Sequence, residues 1–447
     1  MTLTRRFWNS LRRGAIACAT LAIAQVMTAS LALGLGLTHG PVVGGVTASN
    51  AKVFVRTQQA ARVSLRYSAS PSFDTFQVSK AFTTNVASDF TEIIPLSELS
   101  AETTYYLDVL VNGVPQLTSP YPSFATFPPP RTSRSFSFVV LTDFTTVHNL
   151  TAGVETFASA AATNPVFSFI GGDFDHRQPV SIRNKRQMFK DLYDDRTPFM
   201  GDFVDLILRR MPIIHQWDDH DAGANNIDKT YSEWADSQEA FEEYMPSYRL
   251  PPGGPGIWQT FSYAQADCFV LDCRSQRDPE TDPDDTNKSM LDGNTLGARG
   301  QLQWLESRLR KSMAEWKIIF TSVVTNPTTK FPDGWAGYQT EWNSLKNFIN
   351  TNNIGGVIFI SGDLHLGAID DGTQAGFPEM CVSQPNGTGG CPTDAAGEWS
   401  EGYYDDPTCK GFGLVTISSD PDQLTLQTMD EFGNSQISYT ISGTPSR

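Results

Sequence analysis

The sequence predicts an α/β layered domain behind a small all-β sandwich, and three observations carry that expectation. The segments KVFVRT, ARVSLRYS and TYYLDVLVNG, between residues 52 and 113, alternate apolar and polar side chains with turn signals between them, the period of half-buried antiparallel strands. A proline-rich break, TFPPPRTSRS at 126–135, then suits an inter-domain linker. Beyond it, short apolar runs alternate with helical patterns, as in a sheet whose two faces are both covered. A chain of 447 residues exceeds a typical single core, so the expected division is 1–37, 38–128 and 129–447.

The first of these segments reads as a leader. Arg5, Arg6, Arg12 and Arg13 precede a charge-free apolar stretch from Gly14 to Leu37. This pattern fits an export signal, with small residues around Ser30-Leu31-Ala32 for cleavage, or else a retained membrane anchor. Either reading puts the mature protein outside the cytoplasm, periplasmic or secreted. Of six cysteines, Cys18 lies in this leader. In an oxidising compartment Cys381 and Cys391, which bracket QPNGTGG, would staple a loop, with Cys409 as the competing partner. Cys268 and Cys273, five apart in a strand-like run, point to opposite faces and read as packed thiols.

The strands expected after the linker are SFSFVVLTD, PVFSFIGGD, MPIIHQWDD, CFVLDC, KIIFTSVV and GVIFISGD. QLQWLESRLRKSMAEW and YQTEWNSLKNFINT supply helical patterns between them. The formal charge of −16 excludes a general nucleic-acid scaffold, which needs clustered Lys and Arg. Part of the acidic excess, RDPETDPDDTNKSMLD from Arg277 to Asp292, reads as a solvated loop.

Polar residues fall at the strand ends. The first run ends in Asp143; the second continues into Asp173, Asp175 and His176; the third into Asp218, Asp219, His220 and Asp221; the last into Asp363 and His365. One aspartate after a strand is ordinarily a cap or turn residue. Four such ends, three of them with histidine, form instead a set of carboxylate and imidazole ligands for first-row metal ions, with calcium less favoured. A carboxylate shared by two ions would also neutralise the acidic stretch HQWDDHDAGANN.

The order Asp, Gly-Asp, acidic-His and Gly-Asp-x-His resembles the calcineurin-like metallophosphoesterases. WDDHD followed by Asn-Asn, SGDLH, LDxR at Leu271–Arg274 and LGARGQLQWL at 296–305 resemble the alkaline phosphatase D (PhoD-like) family among them. The resemblance implies a four-layer αββα metallophosphoesterase domain preceded by a small all-β, fibronectin-III-like sandwich. It implies two divalent or trivalent metal ions (Zn, Mn, Fe or Ca) that acidify a water and clamp the phosphate of a mono- or diester. Carried over by position, Asp173 bridges the ions, Asp143, His176 and His365 complete the first site, and Asp219 and Asp363 bind the second. His220 takes the place of the general acid that protonates the leaving group. The sequence departs from the family pattern where Asp143 stands for a cysteine, His176 for a tyrosine and Thr145 for a histidine. These changes disfavour iron(III) held by thiolate or phenolate.

Other residues have two readings each. Asn225 and Asn226 either supply a ligand or orient phosphate. Arg177 and Arg274 form salt bridges or bind phosphate bidentately. His148 and His215 read as local structural histidines, with His148 also a candidate phosphate contact, and His39 as exposed. Trp217 reads as core, and Asp175 and Asp218 as supports turned away from the ions. The rival functions are a diesterase acting on teichoic-acid-type polymers or phospholipids through the same site, and a surface binding protein with a degenerate catalytic domain.

Overall fold

The computed structural model of the chain describes residues 36–144, 155–196, 198–252, 254, 256–291, 300–387, 391–404 and 408–443. Almost all of the expected leader lies outside these residues, as do Thr145 and His148. Leu37, its last residue, opens the first strand, Leu37–Gly44. Among the described residues no helix is long and apolar enough to cross a membrane.

The alternating N-terminal segments form two small antiparallel sheets. One joins Leu37–Gly44, Ala51–Thr57 and Thr91–Leu96; the other is built on Arg62–Ser68 and Thr104–Val111. Their inward residues, Val53, Val55, Val63, Leu65, Leu107 and Val109, are fully buried, which is why every second position is apolar. His39 was expected at the surface, yet it is only 9% exposed. Burial first, and then the Arg56 guanidinium, lower its pKa to about 4.

Beyond the linker two mixed six-stranded sheets lie face to face. In the first, Ile213–His215, Ser168–Ile170 and Phe136–Leu141 run parallel, and Gly411–Ser419, Asp422–Asp430 and Ser435–Ser442 continue it antiparallel. In the second, Ala266–Val270, Trp316–Phe320, Val357–Ser361 and Glu379–Cys381 run parallel between the antiparallel edges Gln259–Tyr263 and Ala368–Asp370. The period of two now explains the continuous apolar runs. Phe138 and Val140 enter the core between the sheets, whereas Val139 and Leu141 pack outward beneath helical residues such as Phe157, Met188 and Phe241. In the second sheet Ile318 and Phe320 point inward and Ile319 outward, under Leu305 and Leu309 of helix Gln301–Lys311 and Trp342 and Leu345 of helix Gln339–Thr351. Phe169 stacks on Phe320 across the interface with ring centroids 3.7 Å apart. A fully buried phenylalanine of this kind contributes about 1.5–3 kcal/mol.

The cysteine and acidic-run expectations need correction. The disulfide joins Cys391 to Cys409, and Cys381 is a buried free thiol. Cys381 ends a strand inside the second sheet, so its side chain faces core rather than the loop. Cys268 and Cys273 are buried thiols in different clusters, one between the sheets and one under the helices, as their spacing predicted. Within its described part, 277–291, the run is solvated only at its middle, around residues 281–287. Its flanks are buried, where Arg277 pairs with Asp333, Asp278 with Lys229, and the N–H groups of Met290 and Leu291 donate to the Glu341 carboxylate.

Candidate metal centre

The parallel strands deliver their acidic ends to one place through sharp corners. Asp143, Asp173, Asp363 and His365 all adopt left-handed backbone, with φ of 57°, 50°, 66° and 57°. Non-glycine residues there cost about 1–3 kcal/mol each and cluster at functional sites. The glycines before them allow the corners to close: a Cβ on Gly171 would lie 2.5 Å from Thr142 Cγ2, and one on Gly172 2.8 Å from Asp218 Cβ. The corners are also stitched together. Asp143 donates its N–H to the Gly172 carbonyl at 3.1 Å, and Asp363 donates to Asp143 Oδ2 at 3.2 Å.

Asp173 lies at the centre. Among the described residues three groups of side chains could each hold a metal ion, Asp173–His176–His365, Asp173–Asp219–His220 and Asp173–Asp218–Asp363, and Asp173 belongs to all of them. His176 Nε2 is 3.6 Å from Asp173 Oδ2, and His365 Nε2 is 3.6 Å from Asp143 Oδ1. The ring centroids of His220 and His365 lie 4.7 Å and 5.2 Å from that of His176. His176 Nδ1 meets the Phe144 carbonyl at 2.8 Å. A carbonyl only accepts, so Nδ1 carries a proton and Nε2 is the ring atom left to face the site.

Asp221 holds this centre from behind. Its carboxylate accepts the N–H groups of Asp173 at 2.7 Å, Phe174 at 2.9 Å and Asp218 at 3.0 Å, the last closing a capping box on the short helix Asp219–Ala222. Asp219 accepts from the Asn226 N–H at 2.6 Å, and His220 N donates to Asp173 Oδ1 at 3.1 Å. Asn226 therefore acts on Asp219 through its backbone, while its side chain donates to Glu280 at 3.0 Å. Asn225 is exposed and donates to the Asn226 side chain at 2.8 Å.

The two arginines are committed to carboxylates. Arg274 has no exposed surface and pairs with Asp218 and Asp333, its Nη2 lying 3.8 Å from Asp219 and 3.9 Å from Asp363. Arg177 pairs with Asp175 at 2.7 Å and Asp191 at 2.5 Å. Asp175 is thus turned to its arginine. Asp218 is bound to Arg274 yet remains within ligand range of Asp173 and Asp363. His215 packs against Phe174, Phe189 and Phe241, away from the cluster, and Trp217 is core.

Sequence reasoning missed Lys330 and Asp333. Lys330 Nζ is 2.9 Å from Asp363 Oδ1, and Asp333 joins Arg274 to Arg277. A single lysine and aspartate in TKFPDGW follow no strand end and carry no spacing signal.

The electrostatics call for added positive charge. Burial, then Asp219, Asp218, Asp221 and Asp143, push the Asp173 carboxyl well above the ordinary range. Burial also raises Asp363, against the pull of Lys330. At Asp219 burial pushes upward, but Arg274 and His220 outweigh it and hold the carboxyl below its usual value. Burial lowers His220, with His176, Arg274 and His365 adding to it and Asp219 opposing. His176 Nε2, His220 Nδ1 and Asp363 Oδ2 are buried without a hydrogen-bond partner. Unpaired imidazole and carboxylate atoms around crowded carboxylates fit a metal ion as their missing partner.

Facing mixed sheets between helices, with carboxylates and imidazoles at the strand ends, define the class: this is a metallophosphoesterase α/β fold. The solved structure of PhoD superposes with a TM-score of 0.69 at 17% identity, over 90% of this chain and 89% of that one. Purple acid phosphatase PPD1 from yellow lupin (Lupinus luteus) seeds follows at 0.61 and 14%, over 90% and 74%. Residues 187–391 match the family model of the PhoD-like phosphatases. Alkaline phosphatase D of Bacillus subtilis (strain 168) is 31% identical over 182 residues, covering 34% of this chain and 31% of the relative. The chain thus spans about a third of that curated relative's length. Residues 35–131 match a domain of unknown function (DUF7800). Asp219, His220, Asp363 and His365 fall inside the phosphatase match; Asp143, Asp173 and His176 precede it and reach the site through the fold.

Proposed function

We propose that the protein is an exported, metal-dependent phosphoester hydrolase acting on phosphate mono- or diesters. The observation that carries this reading is the convergence of three metal-capable groups on Asp173. Asp173 bridges two sites: Asp143, His176 and His365 serve the first, and Asp219 and Asp363 the second. Metal ions bound there, zinc, manganese, iron or calcium, would supply Lewis-acid activation of water and of the phosphate oxygens.

The chain's own residues do the rest. Asp221 fixes the Asp173 corner through its backbone N–H groups. The Phe144 carbonyl fixes the His176 tautomer, and His365 is oriented by the Gln384 side chain, which accepts a hydrogen bond from its ring. His220, half-buried on the short helix beside Asp219, holds the proton delivered to the leaving-group oxygen. Asn225 is open to solvent and free to approach phosphate. Arg274 and Arg177 act by holding carboxylates in place. The leader at 1–37 supports export, and the N-terminal sandwich is read as a fibronectin-III-like module ahead of the catalytic domain.

The test is hydrolysis of a chromogenic phosphate monoester and a diester, side by side, with and without chelator. Metal-restorable turnover of at least one is expected. Turnover indifferent to chelator, or none after reloading with each of the four metals, contradicts the reading.

A further inference from the structure

We propose that Lys330 binds substrate phosphate in this site and biases it towards dianionic monoesters over monoanionic diesters. The inference rests on the phosphoester-hydrolase reading above. Lys330 lies on the loop between strand Trp316–Phe320 and helix Gln339–Thr351, with its ammonium 2.9 Å from Asp363 Oδ1. Its side chain is 31% exposed, and the next residue, Phe331, is 77% exposed, so this part of the loop faces solvent where a substrate arrives.

The loop is built to hold it there. Lys330 has left-handed backbone with φ 52°, its carbonyl accepts the Gly334 N–H at 2.7 Å, and Thr329 donates its hydroxyl to the Ala395 carbonyl. Backbone strain of this kind persists where the surroundings enforce it, commonly at ligand clamps.

Charge accounting separates Lys330 from the arginines. Asp218 and Asp333 are balanced by Arg274 and Arg277, and Arg177 is divided between Asp175 and Asp191. The carboxylates of Asp143, Asp173, Asp219 and Asp363 would be cancelled by two divalent ions, and Asp221 behind them is held by backbone N–H groups alone, leaving no excess positive charge to attract an anion. Among the described residues at the site, Lys330, paired with Asp363, is the cation that remains. An ammonium cannot share the Asp363 oxygen closely with a metal ion. Its flexible four-carbon stem lets it move to a non-bridging phosphate oxygen as that carboxylate is taken up. A monoester dianion has one more negative charge than a diester and gains more from this contact.

The test uses the metal-loaded full chain with Lys330→Met, which keeps the stem, and Lys330→Arg, which keeps the charge. Elemental analysis reads metal content, calorimetry reads the Kd of inorganic phosphate, and kcat/KM is compared for a chromogenic monoester and a diester. Lys330→Met should keep its metals and weaken phosphate by about 10- to 100-fold, the loss of one charged hydrogen bond. Its monoester kcat/KM should fall similarly, its diester kcat/KM less, and Lys330→Arg should recover part of the loss. Unchanged phosphate affinity, equal losses on both substrates, or loss of metal in Lys330→Met would overturn the proposal. Absence of turnover in the wild-type chain defeats the hydrolase reading instead, and phosphate calorimetry still judges Lys330.

Discussion

Asp221 touches no substrate in this account, yet its carboxylate gathers three backbone N–H groups and fixes the corner on which Asp173 turns. Asp221→Ala should therefore lower metal affinity about 10- to 100-fold, as loss of supports around metal ligands does. Competition against a chelator measures it, and unchanged affinity would show that the corner stands without its brace. For His220→Ala the expected pattern is different: metal content stays, turnover falls about 100-fold or more, and the loss is smaller for substrates with good leaving groups. Equal losses across leaving groups would assign His220 a ligand role beside Asp173 and Asp219, which its position also permits. The residues that could be read from sequence are those at strand ends, where Asp143, Asp173, Asp219, Asp363 and His365 share a local pattern. Lys330 and Asp333 were hidden because their partners are remote in sequence. The two arginines were legible as cations, but only the fold shows how completely carboxylates occupy them.

At the scale of elements, the corners carry both stability and function. Gly172 has φ +107°, and a Cβ there would lie 2.8 Å from Asp218 Cβ and 2.9 Å from its backbone nitrogen. Gly172→Ala should cost about 1–3 kcal/mol in denaturant unfolding and weaken metal binding at the same time. A stability loss without a metal loss would separate the corner from the site. The strand Ile213–His215 gives a pH prediction. His215 is buried among aromatic rings, and burial lowers its pKa from 6.5 to about 3. The unfolded chain then binds a proton that the folded chain refuses, so stability is full above about pH 7 and falls as pH drops through 6.5 towards 3. The contribution lost by pH 5 is about 2 kcal/mol. His215→Phe should flatten that part of the stability profile, and an unaltered slope would contradict the assignment. The apolar runs made these strands legible, because both faces of each sheet are covered. The buried flanks of 277–292 were not, since composition shows charge but not the ion pairs that take it inward.

Across the whole molecule, the sandwich and the paired sheets share one hydrophobic cluster, with Phe127 of the linker packed on Phe167 and Tyr263. Lys52 and the Tyr248 hydroxyl add hydrogen bonds of 2.7 Å across the same boundary, to the Ser247 and Val46 carbonyls. The proline-rich break marks a change of architecture without a gap in packing, which no composition shift could reveal. The described parts should accordingly melt in one calorimetric transition, and two resolved transitions would show that they unfold independently. The central claim, that Asp173 is the shared carboxylate of a metal-dependent phosphoester hydrolase, is tested most directly by elemental analysis of the wild-type chain and Asp173→Asn, each assayed for monoester hydrolysis. About two ions per wild-type chain and metal-dependent turnover are expected, with both metals weakened and activity collapsed in Asp173→Asn. Full metal occupancy in Asp173→Asn, or turnover that survives it, would contradict the account.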